Sequence, residues 1–163
     1  MKTNDVLLLI TALFSALMAG FFYSYSCSVM PGLGKLSDDE FIKAMQSINR
    51  EIQNPVFFLS FFGILIFLPL STFLSYGTSL GFWLLGAATL VYFAGAFGVT
   101  IFGNIPLNNA LDKFDLLQAT KEMIAAQRNL FETKWNSLNI IRTFSSSLAA
   151  VLVLISCILK EKS

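Results

Sequence analysis

Histidine is missing from this 163-residue chain, and cysteine is nearly so, with two. The first absence removes the commonest metal ligand and the commonest general base near neutral pH. Cys27 and Cys157 cannot form a zinc site by themselves. They fall near the ends of the first and last apolar runs. With alternating spans those ends face opposite membrane sides, about 30 Å apart, so no disulfide joins them. Both read as small apolar packing residues. Charge is scarce as well. Asp, Glu, Lys and Arg make up 13% of the chain, against about 25% in ordinary globular domains. A net charge of +1 gives no footprint for nucleic acid, and none is expected as a partner.

What the chain has instead is apolar surface. Hydrophobic residues make up 55%, Phe alone contributes 17, and the mean hydropathy is +0.69. The class this implies is an all-α integral membrane protein, a four-helix bundle forming one domain over 1–163. Its spans are expected at about 6–30, 55–74, 80–102 and 135–159. Lys2 ahead of an apolar core ending at Ala19-Gly20 also fits a signal peptide, but Phe21, Phe22 and Tyr23 prolong the run too far for one. Ala12, Ala16, Gly20, Ser24 and Ser28 recur every four residues in the first span, a small-residue stripe that predicts close helix packing.

Between the spans, Pro31-Gly32 ends the first helix, and Ser37 with Glu40 forms a capping box. The helix that follows, to about Gln53, puts Phe41, Ala44, Met45, Ile48 and Ile52 on one face, so it lies along the interface or folds back over the bundle. Asn54-Pro55 starts the second span, and Pro69 is placed to kink it. Ser75-Tyr76-Gly77-Thr78 is a turn. The third span carries many small residues. It is expected to break at Gly103-Asn104-Ile105-Pro106-Leu107-Asn108-Asn109, because proline lacks an N–H and disfavours a helical residue before it. Asp115 with Gln118 is read as capping a second interfacial helix over 116–131. Trp135 then anchors the last span at the interface, and Lys160-Glu161-Lys162 ends the chain.

Alternation puts both long loops on one membrane side, which is therefore the expected functional face. Lys35, Lys43, Arg50, Lys113, Lys121, Arg128 and Lys134 lie there, against Lys2, Lys160 and Lys162 on the other. The count favours cytoplasmic loops, whereas the tail charges directly abut their spans, so orientation stays open. Inside the fourth span, Asn136, Asn139, Thr143 and Ser146 or Ser147 share a face with Arg142. Arg142 sits about 10 Å along the helix from Trp135, and an arginine at that depth must face the bundle or a watery cavity. The amides of Asn104 and Asn108 are its nominated partners, with Asp112 or Asp115 as candidate carboxylates. One interpretation is a structural polar network. The other is an oxyanion site, with Arg142 as fixed charge and Asn104, Asn108, Asn136, Trp135 and Tyr23 around a lipophilic ligand.

Pro106-x-Asn108 with Leu111, followed by Trp135-Asn136, Asn139, Arg142 and Thr143, resembles the anthrone oxygenase-like family of small membrane proteins. Gly20 with Pro31 and the four-span layout fit as well, so the resemblance covers nearly the whole chain. It implies a four-helix membrane bundle. It also implies an oxidoreductase whose fungal members convert anthrones to anthraquinones with molecular oxygen, without metal or flavin, so no cofactor is expected. Arg142 and Asn139 become the candidate catalytic residues. Where the fungal enzymes tend to carry His, this chain has Asn139, and an amide is no base near neutral pH. The alternative function is a non-enzymatic protein of the cell membrane that binds a lipid or a partner helix through the same polar mouth. An ion or proton carrier is disfavoured, since no carboxylate lies within an apolar span. Membrane lipid and a lipophilic small molecule are the expected partners.

Overall fold

A computed structural model describes residues 3–77 and 79–160; Lys2, Thr78, Glu161 and Lys162, read above as flanking charges and part of a turn, lie outside them. The described residues form helices and no strand. Four helices are long and apolar enough to cross a membrane: α1 (Asn4–Leu33), α3 (Pro55–Leu74), α4 (Leu80–Asp112) and α5 (Lys121–Leu159). The fifth, α2 (Asp38–Glu51), lies in the loop after α1. The long helices close a ring in which α1 and α4 each pack between α3 and α5. Their inner faces bury Met18, Phe22, Ile64, Leu68, Leu85 and Val153. Leu13, Ile66, Leu90, Phe102 and Phe144 point outward, as a hydrocarbon solvent requires.

Hydroxyl pairs stitch the ring where backbones run close. Thr11 Oγ1 meets Ser71 Oγ at 2.8 Å between α1 and α3, and Thr72 meets Thr89 at 3.1 Å between α3 and α4. Glycine permits the tightest approaches to α5. A Cβ on Gly95 would strike Ser145 Oγ and lie 2.5 Å from its Cβ, and one on Gly103 would lie 2.8 Å from Leu138 Cδ1.

The start signals in the sequence hold. Ser37 caps α2, with its N–H donating to Glu40 Oε2 at 3.1 Å, and Asn54 Oδ1 accepts from Phe57 N–H at 3.0 Å ahead of α3. Ser37, through its hydroxyl and then its N–H, holds the Glu40 carboxyl below its ordinary range. The stability this adds is complete above the ordinary Glu range and is lost as pH falls through the lowered folded value. Amide exchange at Phe41 is expected to quicken over that acidic window.

Four expectations are corrected. The helix is not broken at Gly103–Asn109: α4 runs through to Asp112. Thr100–Asn104 is a π-helical segment, and the N–H of Ile105 reaches back five residues to Thr100 O. That wide turn precedes Pro106, which then needs no backbone donor in the first turn of the renewed α-helix. Pro31 is accommodated the same way. Tyr25–Val29 is π-helical, Met30 N–H reaches Tyr25 O, and α1 ends only at Leu33. Second, the helix expected over 116–131 is not separate. Asp115 closes a local turn by accepting from Leu117 N–H at 2.9 Å, and α5 begins at Lys121 and continues unbroken into the bundle.

Third, the small-residue stripe of α1 is not its packing face, since Ala16, Gly20 and Ser28 are exposed. A four-residue repeat advances about 40° per step around a 3.6-residue helix, so it winds off the face where it began. Thr11, Ser15, Met18 and Phe22 make the contact instead. Fourth, Cys27 is exposed rather than packed, whereas Cys157 packs against the core. α3 continues past Pro69 to Leu74.

Candidate functional site

α5 carries Arg142 into the bundle at 6% exposure, and no carboxylate of the described residues meets it. One terminal nitrogen donates to Asn139 Oδ1 at 2.8 Å, the other to Thr100 Oγ1 at 3.4 Å. Its guanidinium carbon sits 4.6 Å from the ring centre of Phe22 and 5.0 Å from that of Trp135. Aromatic faces thus stand where a counter-ion is expected, an arrangement that stabilises a cation without neutralising it. Neither Asp112 nor Asp115 pairs with Arg142. Asp112 is held by Arg50 at 2.7 Å, and Asn108 Oδ1 and the Asn104 amide nitrogen bond to Trp135.

Asn139 holds this arginine in place. Its nitrogen donates to Ser26 Oγ at 2.8 Å and to Phe22 O at 3.2 Å, which leaves its oxygen for Arg142. Thr143 adds a bond to Phe22 O at 3.0 Å and meets Ser26 at 2.9 Å. Ser146 bonds back to Arg142 O at 2.7 Å. The start of the π-helical segment of α1 is therefore locked to α5. Asn139 is fully committed and does not line the cavity described next.

That cavity, about 230 Å³, lies at the looped end of the bundle and takes lining residues from all five helices. Phe22 and Tyr25 come from α1, Asn49 from α2, Phe57 and Phe61 from α3, Thr100, Asn104 and Asn108 from α4, and Trp135 and Arg142 from α5. Its wall sets aromatic rings beside amides and charged groups, which can orient a ligand within an apolar pocket. Asn108 Oδ1 accepts from Trp135 Nε1 at 3.0 Å, and Asn104 donates to Trp135 O at 3.5 Å. Trp135 is buried, not an interfacial anchor. Its ring lies against Tyr25, with centroids 5.5 Å apart.

Of the residues nominated from sequence, Arg142, Asn104, Asn108 and Trp135 line one cavity. Asn136 does not line it, and Tyr23 is 59% exposed on the outer surface; Tyr25 is the tyrosine on the wall. Asp112, nominated as a candidate carboxylate, is exposed and lies on the lining with its partner Arg50. Among the described residues no group of three His, Cys, Asp or Glu is placed to hold a metal ion.

Two residues that matter went unread in the sequence. One is Asn49, buried on α2. The other is Arg128, which fastens the loop before α2 to α5. It pairs with Glu132 at 2.8 Å and Asp38 at 2.9 Å, donates to Gly34 O and Leu36 O, and covers the Phe41 ring at 4.5 Å. Its i,i+4 spacing to Glu132 was the available signal. Arg128→Ala is expected to cost about 1–3 kcal/mol, the range for charge-assisted hydrogen bonds. Faster proteolysis between 33 and 38 would report it, and unchanged cleavage would mean the clamp carries nothing.

A sequence model of the family described as anthrone oxygenase matches residues 47–152, a stretch from the second half of α2 into α5. No curated protein and no solved structure matches the chain.

Proposed function

The chain belongs to the anthrone oxygenase family, and on that premise we propose that its cavity binds a lipophilic phenolic or polycyclic substrate and oxidises it with molecular oxygen. The observation that carries this reading is the state of two buried polar atoms in residues that line the cavity. Arg142 Nε and Asn104 Oδ1 are buried and have no partner among the described residues, and both residues line the cavity. An unpaired buried donor and acceptor are costly, and a ligand oxygen that accepts from one and donates to the other relieves both. The enol hydroxyl of an anthrone is such a group.

The chemistry follows from what the wall stabilises. Loss of a proton from the ring CH2 puts negative charge on the ketone oxygen, where Arg142 is the fixed positive partner. The electron-rich carbon then takes up oxygen. Both hydrogens of that carbon leave with one oxygen atom as water, and the other oxygen atom stays as the new carbonyl. Asn139 acts as a positioning residue in this scheme, because its amide is no base and its bonds are spent on orienting the guanidinium. Asp112 is the carboxylate among the lining residues, and we assign it the proton. The surrounding phase is lipid, and the cell membrane is the proposed location.

Product formation is the test. Purified protein in lipid vesicles, given anthrone in air, is expected to produce anthraquinone faster than empty vesicles. Asp112→Asn should slow the reaction near neutral pH and recover as rising pH ionises the substrate unaided. Product formed only at the rate of empty vesicles would leave the family's fold without its reaction.

A further inference from the structure

A third lining residue holds a buried atom with no partner among the described residues: Nδ2 of Asn49. Unlike Arg142 and Asn104 it does not belong to the four-helix ring but to α2, the helix folded over its end. We infer that Asn49 is a ligand-binding residue whose amide donates to a second oxygen of the ligand, so that it selects oxygen-substituted rings over bare ones. This rests on the reading that the cavity takes a polycyclic ligand.

Several features make this more than a stray buried amide. Asn49 is 8% exposed and falls in register with Phe41 and Met45, four residues apart along the buried stripe of α2. An apolar residue would be the default there. Its side chain does not serve as a cap, and Asn54 caps the next helix. The helix that carries it is fixed. Gln46 donates to Leu111 O at 2.9 Å and to Phe114 O at 3.0 Å, and Arg50 holds Asp112, so α2 is tied to the far end of α4. Asn49 therefore reaches the cavity from a rigid support, which is what positional selectivity requires. A site built to bond a ligand oxygen discriminates strongly against the analogue that lacks it, because its own polar group is then left unpaired.

The experiment measures binding rather than turnover. Anthrone and a dihydroxyanthrone are titrated, without oxygen, into the full-length protein in lipid nanodiscs, wild type against Asn49→Leu. Wild type is expected to prefer the dihydroxy compound. Asn49→Leu should weaken that compound about tenfold or more, leave anthrone nearly unchanged and so erase the preference. Without ligand the variant should melt no lower than wild type, since the amide it removes has no partner. A variant that melts lower and keeps the preference would overturn the inference and make Asn49 structural. So would a wild type that binds both compounds equally or neither. Preference for the dihydroxy compound in a protein that forms no quinone would sink the oxygenase reading and leave Asn49 as assigned. Quinone formation without any preference would do the reverse.

Discussion

Arg142→Met is expected to lower substrate-dependent oxygen uptake about a hundredfold or more while leaving the melting temperature near that of wild type. The first half follows from where the guanidinium sits. It is buried with no carboxylate against it, so its charge is not already spent, and a preorganised donor at a developing oxyanion contributes about 10²–10³ in rate. The second half follows from what burying it costs. An arginine at depth in a membrane helix is unfavourable by a few kcal/mol, and exchanging a buried charge for an apolar side chain of similar volume is often neutral or stabilising. The losses to be set against this are the bonds to Asn139 Oδ1 and Thr100 Oγ1. Methionine keeps the contacts with Phe22 and Trp135. Arg142→Lys should recover little, because a single ammonium cannot serve Asn139, Thr100 and a ligand in the same plane. Were Arg142 only a structural tie, uptake and melting temperature would fall together.

Gly95→Ala has the second largest expected effect, and on stability rather than chemistry. Its new methyl group would meet both Oγ and Cβ of Ser145, and Ser145 is itself buried. Turning the hydroxyl aside cannot clear the Cβ, so α4 and α5 must move apart. Overpacking of this kind costs about 1–3 kcal/mol. It would also shift Thr100 away from Arg142, since both helices carry that contact. Ser145→Gly removes the two clashing atoms and should restore much of the loss, whereas Ser145→Ala leaves the Cβ in place and should not. Chemical denaturation in detergent separates these cases. A tolerated Gly95→Ala would mean the two helices are looser than their geometry implies.

Much of the architecture was legible in the sequence because hydropathy, caps and depth speak directly. The four apolar runs became the four long helices, and Ser37 and Asn54 start helices as their spacing says. Arg142 was bound to face inward, since lipid gives it no other choice. What misled was proline. Pro31 and Pro106 look like breaks when only the α-helical pattern is considered, but a π-helical turn just ahead of each lets the chain run on, and no residue type announces such a turn. The small residues of α1 misled through period, because a spacing of four does not stay on one helix face. The partner of Arg142 could not be read either. The carboxylates nominated from the sequence, Asp112 and Asp115, are taken up by Arg50 and by a local turn, and the arginine rests on rings instead. Asn49 left a faint trace, a polar residue at a position of the apolar stripe. Its meaning depends on α2 folding over the cavity, which only the tertiary contacts decide.

The most direct measurement of whether this cavity is the ligand site uses the two tryptophans. Trp135 lies on the wall, and Trp83 is 69% exposed on α4, well before its π-helical segment at Thr100–Asn104. In Trp83→Phe protein, with Trp135 as the remaining indole, added anthrone kept free of oxygen should quench the fluorescence saturably, and Arg142→Met should shift the curve to higher concentration. In Trp135→Phe protein the signal from Trp83 should change only in proportion to the anthrone dissolved in the lipid. Equal and unsaturable quenching of both would mean the ligand merely dissolves in the bilayer, and the cavity at Arg142 would not be its site.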